Sequence, residues 1–396
     1  MMTRPFRRRV LYLPGFDPMP PRRYRELYRR ESQRQAQVGG YDLTLAKPAG
    51  DRGFGWRTRA RFSQGQAEAQ VEVLVWADLV QASMRTGILA TYGQMIRVAW
   101  IYAASGALRR LMRLRRGPVL AALYPVAVLT AQALAAGLAA ALTGRAVAAL
   151  TGWLWLAAIC AAGAAWAVLA FARAQDHRLF AYYLMHDYAF AASLRGAYPP
   201  HLERRLAQFT DRLAEALSDD LDEVLVVGHS SGAYLAVTTV ADLLRRGAVP
   251  GPALSLLTLG QVVPMASFLP HAQRLRADLA FLSEHPDLFW LDVTAPGDPC
   301  SFALCDPVAV TGVAGPGQRW PLVVSAAFSR TLSPPQQRAL RWRWFRLHLQ
   351  YLCAFDRPGD YDYFAITAGP VTLADRFAGR RHSPGRIATP PGPGLP

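Results

Sequence analysis

Between Pro118 and Ala172 the chain carries a single charged residue, Arg145. Pro118–Leu142 and Ala146–Ala172 are each uncharged, and only Thr143-Gly144-Arg145 lies between them. Both runs exceed the roughly 20 residues that a helix needs to cross a hydrocarbon core. Small residues permit close backbone approach between two such helices: Ala135, Ala136, Gly137, Ala139 and Ala140 in the first, and Ala161, Ala162, Gly163 and Ala164 in the second. The pair therefore reads as a transmembrane helical hairpin that turns at Thr143-Gly144-Arg145. Trp153, Trp155 and Trp166 are of the residue type that favours interfacial depth. The alternative is a pair of buried helices inside a large soluble domain.

The flanks set the orientation. Arg109, Arg110, Arg113, Arg115 and Arg116 precede the hairpin, Arg173 and Arg178 follow it, and the turn holds Arg145 alone. The positive-inside rule then places both flanks in the cytoplasm and the turn outside. The expected location is the inner (cytoplasmic) membrane, with the remaining chain and both termini cytoplasmic. Ile88–Leu114 reads as a helix with one apolar face and a basic end, suited either to the membrane surface or to packing on the domain.

The chain of 396 residues carries a formal net charge of +16, almost all from arginine. Such a balance suits anionic surfaces. No helix-turn-helix, zinc-finger spacing or RNA-binding aromatic signature is present, so no nucleic-acid partner is expected, and membrane lipid is. Cys160, Cys300, Cys305 and Cys353 form no C-x-x-C pair, which argues against a disulfide frame or metal site and fits a reducing compartment. Met1–Arg9 is basic, but the apolar stretch after it runs into Pro14-Gly15 and is too short for a signal-peptide core.

Outside the hairpin, β-rich runs alternate with helical ones. Strands are expected at Arg9–Leu13, Gln70–Trp76, Val224–Val227, Ala253–Leu259, Leu288–Val293 and Trp320–Ala326. Helices are expected at Leu202–Leu217, Ala233–Arg246 and Ala272–Leu282. This alternation implies an α/β fold with a doubly wound, mostly parallel sheet. Tyr41–Leu45 and Trp56–Phe62 read as a strand hairpin on one edge. The proline-rich tail after Arg380 reads as disordered. The expected division is 1–116, 117–173 (the hairpin), 174–380 and 381–396.

In a doubly wound sheet, ligands bind beyond the carboxyl ends of the strands. There, between Val224–Val227 and the following helix, lies Gly228-His229-Ser230-Ser231-Gly232, a G-x-S-x-G in strand–turn–helix context. The turn is sharp, so Gly228 and Gly232 are needed because they lack β-carbons that would collide as the chain reverses. Ser230 would project above the sheet edge with the Ser231 amide N–H beside it. A serine hydroxyl needs a base to take its proton and an acid to orient that base. Asp298, in the loop after the second strand beyond Ser230, is the candidate acid; Asp292 and Asp306 are weaker ones. Asp298 also has a plain alternative as a turn residue in Pro-Gly-Asp-Pro.

Only His348 and His382 follow Asp298. His382 lies in the tail without an evident scaffold, so His348 is the candidate base, with a structural histidine on an amphipathic helix as its alternative. The interval between Asp298 and His348 is long and calls for an insertion, which Val308–Gln318 would supply. Leu13-Pro14-Gly15-Phe16 fits the place of a second oxyanion donor through the Phe16 N–H, or else is an ordinary strand-ending turn.

Gly228–Gly232 after a strand, Asp298 after a later one and His348 near the C-terminus together resemble the α/β-hydrolase superfamily. The resemblance spans residues 9–80 and 175–370 loosely, with the hairpin inserted between them. It implies ester, thioester or amide hydrolysis without cofactor or metal, with Ser230, Asp298 and His348 in the triad roles. The chain begins at what corresponds to the family's third strand, its first two being missing or replaced by Tyr41–Phe62. The expected function is that of a membrane-anchored serine hydrolase acting on an ester or thioester, with an amphiphilic acyl substrate suggested by location. The rivals are a catalytically silent membrane scaffold of the same fold and an acyltransferase using the same triad.

Overall fold

The structure, a computed structural model, describes residues 4–46, 53–247 and 251–392. Residues 1–3 and the last four of the tail, for which a cytoplasmic position is expected, lie outside the described residues. Eight strands form one sheet: β1 (Phe6–Leu13), β2 (Asp42–Ala46), β3 (Phe54–Phe62), β4 (Gly65–Val73), β5 (Glu223–His229), β6 (Ala253–Leu259), β7 (Phe289–Thr294) and β8 (Leu322–Ser325). Their order is β2-β3-β4-β1-β5-β6-β7-β8. From β4 to β8 all pairs are parallel, whereas β2 and β3 add an antiparallel ribbon. The chain is thus α/β with a mostly parallel sheet, and its edge ribbon lies where the sequence suggests.

The central strands are continuous apolar runs because both of their faces are covered. Val10, Tyr12, Leu225, Val227, Leu257 and Leu259 turn to one side, with Tyr24 and Tyr28 of α1 (Arg22–Gly39) and with Tyr351 and Phe364. Leu11, Leu13, Val224, Val226, Leu254 and Leu256 turn to the other. Against that side lie α9 (Pro200–Leu217), α10 (Gly232–Arg245) and α12 (Gln273–Glu284).

The chain leaves the sheet at Val73 and returns at Glu223. This excursion holds α2 (Ala77–Met84), α3 (Ile88–Ala104), α4 (Ala107–Leu114), α5 (Arg116–Thr151), α6 (Leu154–Ala174), the single turn α7 (Asp176–Leu179) and α8 (Ala181–Ala192) before α9. Trp76, expected to end a strand, instead sits at the N-cap of α2, and its indole N–H donates to the Pro14 carbonyl at 2.9 Å. Ile88–Leu114 is two helices, broken at Gly106, whose φ of 71° stops α3. Their inner side packs on the domain through Val98, Ile101, Tyr102, Leu111 and Leu114, while Leu89, Ile96 and Trp100 stay exposed.

The two apolar helices pack along each other, but they turn later than the charge pattern suggests. Helix α5 runs for 36 residues through Thr143-Gly144-Arg145 and ends only at Gly152, so Arg145 lies within the helix and not in the turn. A single helical glycine does not break a helix whose neighbour packs on it. A β-carbon on Gly144 would sit 3.4 Å from Ala161 Cβ, in ordinary contact with α6. The first part of α5 is docked on the domain through Pro118, Val119, Ala121, Pro125 and Leu129. Tyr92 donates to the Leu129 carbonyl at 3.2 Å, and Tyr124 to the Leu179 carbonyl at 2.9 Å. Beyond Leu129 the helix stands clear, and with α6 it forms a projection about 33 Å long. Leu150 and Leu154 near its tip are 86% and 76% exposed, beside the stacked Trp153 and Trp155 rings 5.6 Å apart. Both helices are long and apolar enough to cross a membrane by length and composition.

The tail also departs from expectation. Strand β8 is the outer edge of the sheet, and its unpaired groups capture the chain after Arg380. Val323 donates to His382 Nδ1 at 3.0 Å, Ser383 donates back to the Val323 carbonyl at 2.9 Å, and Ile387 bridges to Cys305. The tail up to residue 392 is therefore described as attached chain and not as a disordered segment.

A buried ion pair ties these parts together. Arg8 Nε donates to Glu223 Oε2 at 2.5 Å across β1 and β5, with side chains 1% and 0% exposed. The remaining Arg8 donors reach the carbonyls of Gly369 and Val371. Glu223 Oε1 accepts from Ser255 Oγ and from the Leu373 N–H, each at 2.7 Å. Removing one partner of such a pair leaves an uncompensated charge in the interior. Arg8→Ala should lower the unfolding free energy by about 3–5 kcal/mol, read by equilibrium urea unfolding in detergent; an unchanged midpoint would show that the pair is dispensable.

Candidate active site

The loop after β5 carries Ser230. Its φ is +58°, the left-handed region that a residue with a β-carbon seldom adopts. The turn is possible because its flanks lack side chains. A β-carbon on Gly228 would lie 2.5 Å from the Gly232 carbonyl and 2.7 Å from Ala233 Cα, and one on Gly232 would lie 2.3 Å from the Leu13 carbonyl. Ser230 is partly exposed, its N–H donates to the Leu259 carbonyl at 2.9 Å, and Ser231 behind it is buried.

Asp298 follows β7 and is buried. His348 closes the short helix Trp344–His348, which is separate from Pro334–Leu340. The long interval before it is filled by the turn Pro307–Thr311, strand β8 and the short helices that follow. Asp298 and His348 meet: Asp298 Oδ2 lies 2.8 Å from His348 Nδ1. Asp298 also accepts from Tyr351 Oη at 3.0 Å and from the Cys300 N–H at 2.9 Å. Burial raises its carboxyl, but the His348 charge and the hydrogen bonds from His348, Cys300 and Ser301 together hold it below the ordinary value. Asp298 is therefore an ionised acceptor that orients the imidazole.

The other carboxylates are engaged elsewhere. Asp306 caps Pro307–Thr311 and pairs with Arg386. Asp292 is buried in β7, where its Oδ1 accepts from Thr258 Oγ1 at 2.6 Å. His382, three strands away from β5 at the β8 edge, is held by Val323.

The His348 ring lies over the elbow. Its centroid is 4.8 Å from that of His229, and a β-carbon on Gly260 would meet His348 Cε1 at 3.1 Å. Gly260 has a φ of +53° and adjoins Leu259, the acceptor for Ser230 N–H. Yet Ser230 Oγ and His348 make no hydrogen bond. The buried His348 Nε2 has no partner among the described residues, so this nitrogen is left open while Nδ1 is fixed by Asp298.

The expected second oxyanion donor is also engaged. Phe16 N–H donates to Ser231 Oγ at 2.8 Å, because Gly15 brings its loop directly against the elbow, where a β-carbon would lie 3.0 Å from Ser230 Cβ. The Ser231 N–H has no acceptor among the described residues. An incoming carbonyl oxygen thus finds one open amide and a second covered by a rotatable hydroxyl.

Three contributors were not picked out from sequence. His229 donates through Nε2 to the His348 carbonyl at 2.9 Å, and burial followed by the His348 charge lowers it to about 3, so it is a neutral strut. Tyr351, three residues beyond His348, holds Asp298; that helical spacing was the available signal. Tyr183 of α8 donates to the Phe16 carbonyl. A cavity of about 560 Å³ lies between α2, α3 and α8, and its Phe190 wall packs on Phe16 with ring centroids 5.7 Å apart.

Asp298, Cys300 and His348 each place a potential ligand atom within 4.8 Å of the others. Burial, then the Asp298 charge, pushes the Cys300 thiol well up, which keeps it protonated and opposes thiolate ligation. No family model, curated protein or solved structure matches the chain.

Asp292 gives a pH signature. Burial raises its carboxyl to about 8, so the native state holds a proton that the unfolded state releases near pH 4. Native stability contributed by this proton falls as pH rises between those values and levels off above. Asp292→Asn should flatten that decline in thermal unfolding scans between pH 5 and 9; an identical slope in both proteins would refute it.

Proposed function

We propose that the protein is a membrane-anchored serine hydrolase of the α/β-hydrolase type that cleaves an ester or thioester. The observation that carries this is the buried Asp298–His348 pair, whose imidazole, its Nε2 unpartnered among the described residues, packs against His229, the residue before a serine of positive φ at a strand-to-helix turn. Ser230 Oγ attacks the carbonyl carbon while His348 Nε2 takes its proton, and Asp298 holds the imidazolium. The Ser231 N–H receives the developing oxyanion, joined by Phe16 N–H once the Ser231 hydroxyl rotates away. His348 returns the proton to the leaving group, and water then releases the acyl group by the same path. On this reading the β2–β3 ribbon takes the place of the superfamily's first two strands, entered after β1 instead of before it.

The exposed apolar surface of α5 and α6 supports a membrane position, since a monomer seldom leaves so large an apolar face in water. Its length of about 33 Å matches a hydrocarbon core. Arginines at both feet favour a cytoplasmic domain on the inner membrane. Trp153 and Trp155 then mark the far interface, with Arg145 within reach of it by extension of its side chain. Such placement favours an amphiphilic acyl substrate drawn from the bilayer.

The second reading, a silent scaffold, is favoured by the missing Ser230–His348 hydrogen bond and the engaged Phe16 amide. Fluorophosphonate labelling separates the two, since only an activated serine reacts. Ser230→Ala should abolish labelling and esterase turnover while leaving the fold intact, and His348→Ala should lower kcat by about 10⁶; failure of the native chain to label would favour the scaffold. The chain should also remain in the membrane pellet through alkaline carbonate washing, and release would end the hairpin reading.

A further inference from the structure

Helix α8 roofs the candidate active site, and three of its residues share one face at helical spacing: Tyr183, Asp187 and Phe190. The two outer members fix where that face points. Tyr183 Oη donates to the Phe16 carbonyl, and both Tyr183 and Phe190 pack on the Phe16 ring, at 6.1 and 5.7 Å between centroids. Tyr183 also meets Phe345, three residues before His348, at 6.0 Å. Asp187 therefore lies between the oxyanion loop and the helix that carries the base.

The Asp187 carboxyl has no hydrogen-bond or ion-pair partner among the described residues, although it is only partly exposed. Tyr102, Tyr183, Tyr188 and Tyr234 are all near enough to feel its charge, and His348 is near enough to act on it. Burial raises it to about 7, the His348 charge opposing the rise. A partly exposed carboxyl that no described protein group engages, on the face of α8 that holds the Phe16 loop, is open to a donor that enters the site.

We propose that Asp187 is a specificity-determining residue of the Ser230 site and accepts a hydrogen bond from a hydroxyl on the alcohol portion of the substrate ester. This rests on the hydrolase reading above. The alcohol side is indicated because Asp187 lies toward His348, which must hand its proton to the leaving oxygen. A hydroxyl is favoured over an ammonium because His348 becomes cationic during turnover and would repel a second cation held beside it. A hydroxyl also suits either protonation state of the carboxyl, since both offer an acceptor oxygen. The substrate class is thus an acyl ester of a polyol that retains a free hydroxyl next to the ester linkage.

The test compares 2-hydroxyethyl octanoate with its near-isostere propyl octanoate on the full-length protein in detergent, with fluorophosphonate labelling of Ser230 run in parallel. The native chain should favour the hydroxyethyl ester at least tenfold in kcat/KM. Asp187→Leu should bring that ratio to near one while still labelling and hydrolysing the propyl ester, and Asp187→Asn, which keeps an acceptor oxygen, should retain part of the preference. A native chain that labels at Ser230 but shows no preference, or hydrolyses neither ester, overturns this assignment alone. The same holds for a preference that survives in Asp187→Leu. A native chain that neither labels nor turns over either ester removes the hydrolase reading and this inference with it.

Discussion

The loops after β1 and β5 press against each other more closely than side chains would allow, and the arrangement of the site depends on that approach. A β-carbon on Gly232 would collide with the Leu13 carbonyl, and one on Gly15 would crowd Ser230 Cβ. Because β1 and β5 are adjacent parallel strands, their carboxyl ends emerge side by side. The glycines convert that adjacency into contact. The same contact brings the Phe16 amide to Ser231, binds Trp76 to the Pro14 carbonyl and presents Ser230 at a strained φ. Strain of this sort persists only where the surroundings over-determine it.

Electrostatics around the base follow from burial more than from net charge. The chain is strongly cationic, yet the groups packed against His348 are the neutral His229 imidazole, the ionised Asp298 carboxylate and the Tyr351 ring. His229 stays neutral because desolvation and its charged neighbour both oppose protonation, so it braces the His348 backbone without competing for the Asp298 charge. Asp298 stays ionised because the His348 charge and its hydrogen bonds together outweigh its burial. Two carboxyls within reach of the same imidazole, Asp298 and Asp187, are therefore pushed in opposite directions by their partners or lack of them.

Much of the sheet was legible because buried parallel strands are written as apolar runs; Ala253–Leu259 coincides with β6 end to end. Helix α1 was not, since the face it buries is largely polar: Glu31 and Gln35 accept from the Ala354 and Phe355 amides, a pairing that no periodicity of apolar residues records. The break of the hairpin was misplaced because charge and glycine mark turns in isolated chains, whereas Gly144 here serves packing against Ala161. The tail was misread because its order comes from the edge of β8, distant in sequence. At the site, chain order led to Asp298 and His348, which meet. The engaged Phe16 amide and the gap at His348 Nε2 arise from side-chain placement that spacing does not encode, as does the position of Asp187 on the roof.

Helix α5 passes from the domain into the free projection without a break: its opening turns, where Pro125 leaves out one rung of the ladder, are docked on α4 and α8, and the helix then continues to Gly152. In the proposed bilayer setting the domain is then not a tethered ball but the head of a rigid pin. Its orientation is quenched, so the mouth of the site keeps one height and one heading relative to the lipid surface. Encounter with a lipid-borne molecule becomes a search in two dimensions, limited by lateral diffusion, with the rotational part of the association entropy lost once at insertion and not at each turnover.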